Sequence, residues 1–294
     1  MKYADLPSGD ARGFFGDDDT NGSLNRQTPQ VVRQAIESVR SGRVFSLNAP
    51  LDWPDPPLYS RSPLRHTTVT TPLGNLDDYL DGFYPQSSSQ WDGFLHIRDP
   101  EIGFYNHQPR ERLGVHTWAA RGIVGRGILF DMPRWFAAQG RDLPWDERVQ
   151  IQVEDLEACR VAAGLEPREG DVLLIRTGWT SGWQSADAAR REELRASPTS
   201  PGLADGESML EYVWDWGVSG LASDNPSLEA WPLGPGFLHP HLLGRLGIPI
   251  GELWWLDELA EHCAETGQYD VLLTSAPLNL RGGVGSPANA LAIA

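Results

Sequence analysis

The 294-residue sequence has only two cysteines, Cys159 and Cys263, far apart and without Cys-x-x-Cys spacing. Their scarcity excludes a disulfide framework or a cysteine metal site, and both read as ordinary buried thiols. Positive charge is also thin: 24 Lys and Arg face 40 Asp and Glu, for a formal charge of -16. With no basic cluster to track a phosphate backbone, nucleic acid is excluded as a partner. No apolar run approaches the ~18 residues that a spanning helix requires. Nor does the opening MKYADLPSGDARGFFGDDD carry a cationic stretch leading into an apolar one. The expectation is a soluble, cytoplasmic protein without a membrane partner.

The common signatures of enzyme chemistry are missing as well. None of the seven histidines falls in a His-Glu-x-x-His pair, and no Gly-x-Ser-x-Gly elbow occurs. In GIVGRG (Gly122 to Gly127) the apolar strand is expected after the glycines, whereas a dinucleotide fingerprint has the strand first. GGVGSP, from Gly282 to Pro287, lacks the lysine of a phosphate loop and reads as a tight backbone turn.

What is present is enough for a sizeable core: 40% of residues are hydrophobic, and the Pro/Gly-rich pieces at 49–63 and 197–206 are too short for linkers. One domain over residues 1–294 is the simplest reading. Thr28-Pro29 and the QVVRQAIESVRSG that follows give an N-cap, a proline at the first helical position, an apolar Val32/Ile36/Val39 face and a Gly42 stop. RVFSLNA, GILFDM, DVLLIRT, VSGLAS and DVLLTSA read as strands, while VEDLEACRVAAG and SMLEYVWDW read as helices. The mixture argues for an α/β domain with a mixed sheet.

One polar run stands out. YPQSSSQWDGFLH places Gln86, Gln90, Asp92 and His96 within eleven residues. A second pair lies far along the chain: His239 in FLHPHLL and Glu252 in GIPIGELWW, where apolar neighbours imply a desolvated carboxylate in need of a cation or a donor. Each residue also has a plain structural explanation, Asp92-Gly93 as a turn for example. Composition and spacing therefore carry only the hypothesis of a polar site built from Asp92, His96, His239 and Glu252.

Several stretches, taken in order, resemble the cyclase family of metal-dependent hydrolases, which includes bacterial kynurenine formamidase and isatin hydrolase. They are GDDDTNGSLNRQTPQVV, SSQWDGFLH, GIVGRGILFDM, EDLEACRVAAG with GDVLLIRTGW, SGLASDNPSLEAWP, FLHPHLLGRLGIPIGELWWLDEL and APLNLRGGVGSP. The resemblance implies a single α/β domain whose mixed β-sheet, of the swivelling β/β/α type, is surrounded by helices. It also implies a metal site. The family's first motif, His-x-Gly-Thr-His-x-Asp-x-x-x-His, puts its aspartate on Asp92 and its last histidine on His96, while its two early histidines fall on Gln86 and Gln90. The later family ligands fall on His239 and Glu252.

By this resemblance Gln86, Gln90, Asp92, His239 and Glu252 hold a divalent ion. Two amides in place of imidazoles favour an oxygen-preferring ion such as Mn²⁺, with Zn²⁺ the alternative. His96 is the implied proton shuttle for hydrolysis of an amide, cyclic amide or lactone of a small aromatic or carbocyclic substrate. Trp91, Trp254 and Trp255, among twelve tryptophans, are the expected pocket walls, with His116 and Asp224 as further substrate-side residues. The resemblance also implies a homodimer or homotetramer. Three other readings stay open at this level: ring closure or dehydration by the same groups, a sugar-stacking cleft with two carboxylates, and a binding protein that has lost its ligands.

Overall fold

The computed structural model describes residues 1–294. Thirteen strands form: β1 (Val44–Ser46), β2 (Arg65–Thr70), β3 (Leu76–Asp81), β4 (Gln90–Asp92), β5 (Ile123–Asp131), β6 (Gln150–Ile151), β7 (Val172–Arg176), β8 (Gly202–Leu203), β9 (Gly220–Ser223), β10 (Ile250–Glu252), β11 (Asp270–Ser275), β12 (Gly285–Pro287) and β13 (Ala290–Ile293). Nine of them make one sheet, in the order β1-β13-β11-β5-β7-β9-β10-β4-β12. The pairs from β5 through β7 and β9 to β10 are parallel and the others antiparallel, so the sheet is mixed. Trp91 on β4 donates its indole N–H to Ser275 Oγ on β11 at 2.9 Å. Those strands stand five places apart in the sheet, so the bond requires the sheet to curl on itself. The chain is a single α/β domain built around that curled mixed sheet, with helices surrounding it.

The principal helices are α1 (Pro29–Ile36), α2 (Met132–Ala138), α3 (Val153–Ala162), α4 (Glu207–Trp216) and α5 (Asp257–Thr266). Thr28 caps α1 by accepting from Val31 N–H, and Pro29 opens it. The helix stops at Ile36, short of Gly42, and it turns Ala35 rather than Ile36 inward. Small residues decide this: Ala35 lets the backbone approach the sheet, and Ser38 donates to Asp270 at 3.1 Å. No helix is long and apolar enough to cross a membrane.

Two sequence expectations are corrected here. Of the glycines of GIVGRG only Gly122 precedes β5, while Gly125 and Gly127 lie inside it, and a Cβ on Gly125 would come within 2.9 Å of Gln27 Nε2. In GGVGSP only the first part turns, with Gly282 at φ +66°, and the rest is β12. Of the cysteines, Cys263 is buried and Cys159 half-buried, both free, and burial pushes each thiol up to about 12.

The main core is one large cluster of aromatic and aliphatic side chains, with a second, smaller cluster around Trp179, Trp183 and Leu253. It also contains an ion pair. Arg126 on β5 reaches Asp171 with both Nε and Nη2 at 2.8 Å, and Asp171 further accepts from Trp216 Nε1 and Arg168 N–H. Removing one member strands the other charge away from water. Asp171→Ala should therefore lose about 3–5 kcal/mol of stability, read as a lowered midpoint in denaturant. A loss below about 1 kcal/mol would show that the pair is not dry.

Candidate metal centre

The site forms where three strands lie side by side. In the antiparallel pairing of β4 with β10, Gln90 stands opposite Glu252 and Asp92 opposite Ile250, while β12 places Gly285 opposite Asp92. Opposed residues share a face and neighbours along a strand alternate, so Gln90, Asp92 and Glu252 point one way and Trp91 the other. Glycine at 285 is a steric requirement. A Cβ there would come within 2.7 Å of Gln86 Nε2, so the Gln86 amide occupies that space on the Asp92 face.

His239 comes from the loop after β9, at the head of the wide helical turn Pro240–Leu246. Its Nε2 lies 3.1 Å from Glu252 Oε1 and 3.8 Å from Asp92 Oδ2. One ligand atom each from Asp92, His239 and Glu252 lies within 4.8 Å of the others, and all three residues are buried. Gln90 Nε2 donates to Glu252 Oε2 at 2.6 Å, while Gln90 Oε1 has no partner. That oxygen and both carboxylate oxygens of Asp92 are buried without a hydrogen-bond donor. Unsatisfied buried acceptors are expensive, and those of Asp92, clustered with His239 and Glu252, match the donor set of a hard divalent cation. The residues present fit the metal.

The electrostatics agree. Burial pushes the Glu252 carboxyl up to about 7, with the neighbouring Asp92 charge adding to it. For His239 burial opposes protonation, yet Glu229, with Asp92 and Glu252, outweighs it and raises the imidazole well above its ordinary range. Both shifts express the same shortage of positive charge, which a cation would supply. His96 Nε2 is 3.8 Å from Asp92 Oδ2, and burial pulls its pKa down despite that carboxylate, leaving a neutral imidazole at neutral pH.

Glu229 is a site residue that the sequence reading missed. Its carboxylate lies 2.9 and 3.0 Å from His239 Nδ1 and accepts from the Leu238 and His239 backbone N–H groups. It fixes the ring so that Nε2 faces Asp92 and Glu252, as a carboxylate behind a metal-binding histidine does. The acidic residue in SLEAWP was visible, but nothing in its spacing ties it to His239.

The expected walls need correction. Trp91 and Trp254 are fully buried, edge to face with ring centroids 4.9 Å apart, and Trp254 donates to Gln90 O on the side away from the site. Trp255 is half-buried against Trp53 and does not face the site cavity. Asp224 is saturated: Thr177 N–H, Thr177 Oγ1 and Gly178 N–H donate to it within 2.8 Å, so it ties β9 to the chain after β7. His116 packs near Gly114 with a buried, unpartnered Nδ1, outside the cavity. The actual cavity, about 210 Å³, opens over His96, His239 and Glu252 and is walled by Tyr59, Ile97, Trp231, Leu233 and Phe237, with Arg61 at its side. These aromatics come from proline-rich loops, where no periodicity points them anywhere.

A buried cluster of two carboxylates and an imidazole, with the spacing of a candidate metal site, stands at the β10–β4–β12 end of the curled α/β sheet. The Cyclase family model, described as “Putative cyclase”, matches residues 45–230, and the chain belongs to that family. A crystal structure of a novel cyclase is similar at 32% identity and a TM-score of 0.86, over 97% of this chain and 99% of that one. Isatin hydrolase A from Labrenzia aggregata, in a structure bound to benzyl benzoate, is similar in fold at 20% identity and a TM-score of 0.61, covering 92% of this chain and 98% of its own. Isatin hydrolase A from Ralstonia solanacearum is similar in fold at 18% identity and a TM-score of 0.59, over 85% and 91% of the two chains. No match to a curated protein was found.

Two substitutions test the centre. Asp92→Ala should abolish stoichiometric binding of added Mn²⁺. Glu229→Gln should keep the site but weaken binding by about 10–100-fold, as read by competition with a chelator. Unchanged affinity in Glu229→Gln would remove it from the metal-supporting role.

Proposed function

We propose that the protein is a divalent-cation-dependent hydrolase that opens an amide, cyclic amide or lactone bond in a small aromatic or carbocyclic molecule. The observation that carries this reading is the buried cluster of Asp92, His239 and Glu252, in which both Asp92 carboxylate oxygens lack a donor. Asp92, His239 and Glu252 would hold the ion, with the amide oxygens of Gln90 and Gln86 as supporting donors. A set this rich in oxygen favours Mn²⁺ over Zn²⁺. When bound, such an ion acts as a Lewis acid toward a carbonyl and lowers the pKa of water from ~15.7 toward ~7.

The chain's own groups do the rest. His96, neutral and lining the cavity, accepts a proton at an imidazole nitrogen from the water that attacks the carbonyl carbon. As the C–N or C–O bond breaks, the same nitrogen returns the proton to the leaving atom, which yields a carboxylate and an amine or hydroxyl. Tyr59, Trp231 and Phe237 hold an apolar ring and keep bulk water off the reacting carbonyl. Kinship with the isatin hydrolases, whose name denotes opening of a cyclic amide, supports this direction of reaction over ring closure.

Chelation should abolish turnover, and re-addition of Mn²⁺ should restore it. His96→Ala should retain metal by elemental analysis yet lose about 10²–10⁴-fold in kcat. Full activity in that variant would remove His96 from the mechanism, and activity that survives chelation would remove the metal.

The same reading includes self-association. The β2–β3 hairpin stands off the domain with Leu73, Leu76 and Tyr79 exposed, and a lone two-stranded hairpin is only marginally stable in water. A second copy of the chain is the proposed cover. Light scattering should give two or four times the 32.5 kDa chain mass, and Leu73→Ser with Leu76→Ser should shift it downward. A wild-type monomer would refute association.

A further inference from the structure

Arg61 is the one formal cation lining the site cavity. It is half-buried and forms an ion pair with no carboxylate, although acidic residues crowd the neighbourhood. The only protein hydrogen bond of its guanidinium runs from Nη1 to the Gln86 backbone carbonyl. The guanidinium has five N–H donors in a planar fork, so most of that fork faces the cavity unused. The bond to Gln86 O anchors one edge, and the Tyr59 ring, 5.3 Å from the guanidinium carbon, supports its face. The mounting is rigid. Tyr59 and Ser60 both hold positive φ, at 57° and 58°, and Tyr59 Oη donates to Pro226 O at 2.9 Å. Two consecutive non-glycine residues in the left-handed region persist only where surrounding contacts dictate them. Here they fix the direction in which Arg61 enters the cavity.

We infer that Arg61 is an anion subsite that selects substrates carrying a carboxylate in addition to the scissile carbonyl. The inference rests on the metal-centred reading of the site, since it assigns the two ends of one cavity: Asp92, His239 and Glu252 at the reacting bond, Arg61 at a second, non-reacting anion. Tyr59 and Trp231, in tilted contact with ring centroids 5.6 Å apart, form one aromatic wall of that cavity, against which a flat ring bearing both groups can lie. Neutral substrates of the same size would leave the fork unpaired and lose binding. A guanidinium–carboxylate pair in a partly desolvated cavity is a strong and directional contact. Arg61 thus acts as a specificity-determining residue and takes no part in proton transfer.

The test is calorimetric binding of benzoate, the benzenedicarboxylates and the corresponding carbamoylbenzoates, in ortho, meta and para forms, to Mn²⁺-loaded protein. One carboxylate is common to every probe; the second group is an anion or its neutral isostere. At least one dicarboxylate should bind about tenfold or more tightly than its carbamoyl counterpart. In Arg61→Gln that preference should vanish while Mn²⁺ affinity, read by chelator competition, stays within about twofold, which shows that the centre is intact; Arg61→Lys should keep part of the preference. Equal affinity for every pair in the wild type, a preference that survives in Arg61→Gln, or no binding by any probe would overturn the inference. Elemental analysis of the same samples, with the titrations repeated on metal-free protein, separates this outcome from the other. Absence of metal refutes the hydrolase reading, whereas the difference between dicarboxylate and isostere reads Arg61 alone.

Discussion

Three carboxylates, Asp92, Glu229 and Glu252, surround a single imidazole in a space nearly closed to water, and the rest of the site is arranged around that imbalance. Like charges a few ångströms apart repel more strongly as the surroundings become less polar. A protein can keep such a group only by protonating it, by pairing it, or by holding a cation. Glu229 is paired with the His239 ring and two backbone N–H groups. Glu252 has Gln90 and His239. Asp92 has no donor at all, although it sits on a strand paired on both sides, opposite Ile250 and Gly285. A carboxylate without a donor, held on a strand with neighbours on both sides, cannot swing away to find water. The cation that the geometry calls for is therefore demanded most by the residue with the least freedom to do without it.

The scaffold supplies that immobility through ordinary sheet physics. β4 is only three residues long, but it is hydrogen-bonded to β10 on one side and to β12 on the other. Its middle residue, Trp91, is locked on the opposite face by its indole bond to Ser275 and by edge contact with Trp254. The tryptophan thus serves the site without touching it: it pins the strand, and the two polar residues flanking it are aimed by the pleat. His239 and Glu229, by contrast, come from the loops after β9. They are fixed by each other and by the backbone N–H groups at the head of the turn that starts at Pro240.

Much of this was legible in the sequence, for reasons that differ by element. β7, β9 and β11 are near-continuous apolar runs, as buried strands of a mixed sheet must be, and the Thr28-Pro29 start of α1 is written in local cap chemistry. The burial of Glu252 was readable from its apolar neighbours. Three things were not. The choice of Trp91 as a wall ignored a rule the sequence itself carries, since residues adjacent on a strand face opposite ways. Glu229 and His239 meet through a loop whose path no periodicity specifies. Tyr59, Arg61 and Trp231 reach the cavity from proline-rich segments in which left-handed residues, invisible to composition, set the direction of the side chains.

The amides of Gln86 and Gln90, which the family resemblance sets at the positions of two motif histidines, bear on what kind of centre this is. Imidazole and carboxamide are both neutral ligands, so exchanging them leaves the charge imbalance of the cluster untouched, and with it the demand for a cation. What changes is the character of the donors. An amide offers an oxygen to the ion and still has N–H groups to donate elsewhere, as Gln90 does to Glu252 while its Oε1 stays unpartnered. The carboxylates thus govern whether an ion is needed, and the neutral ligands govern which ion is preferred and how tightly it is held. On the proposed metal-centred reading these two properties reside in different residues, so the amides can alter metal preference while the deficit of positive charge around Asp92 and Glu252 stays the same.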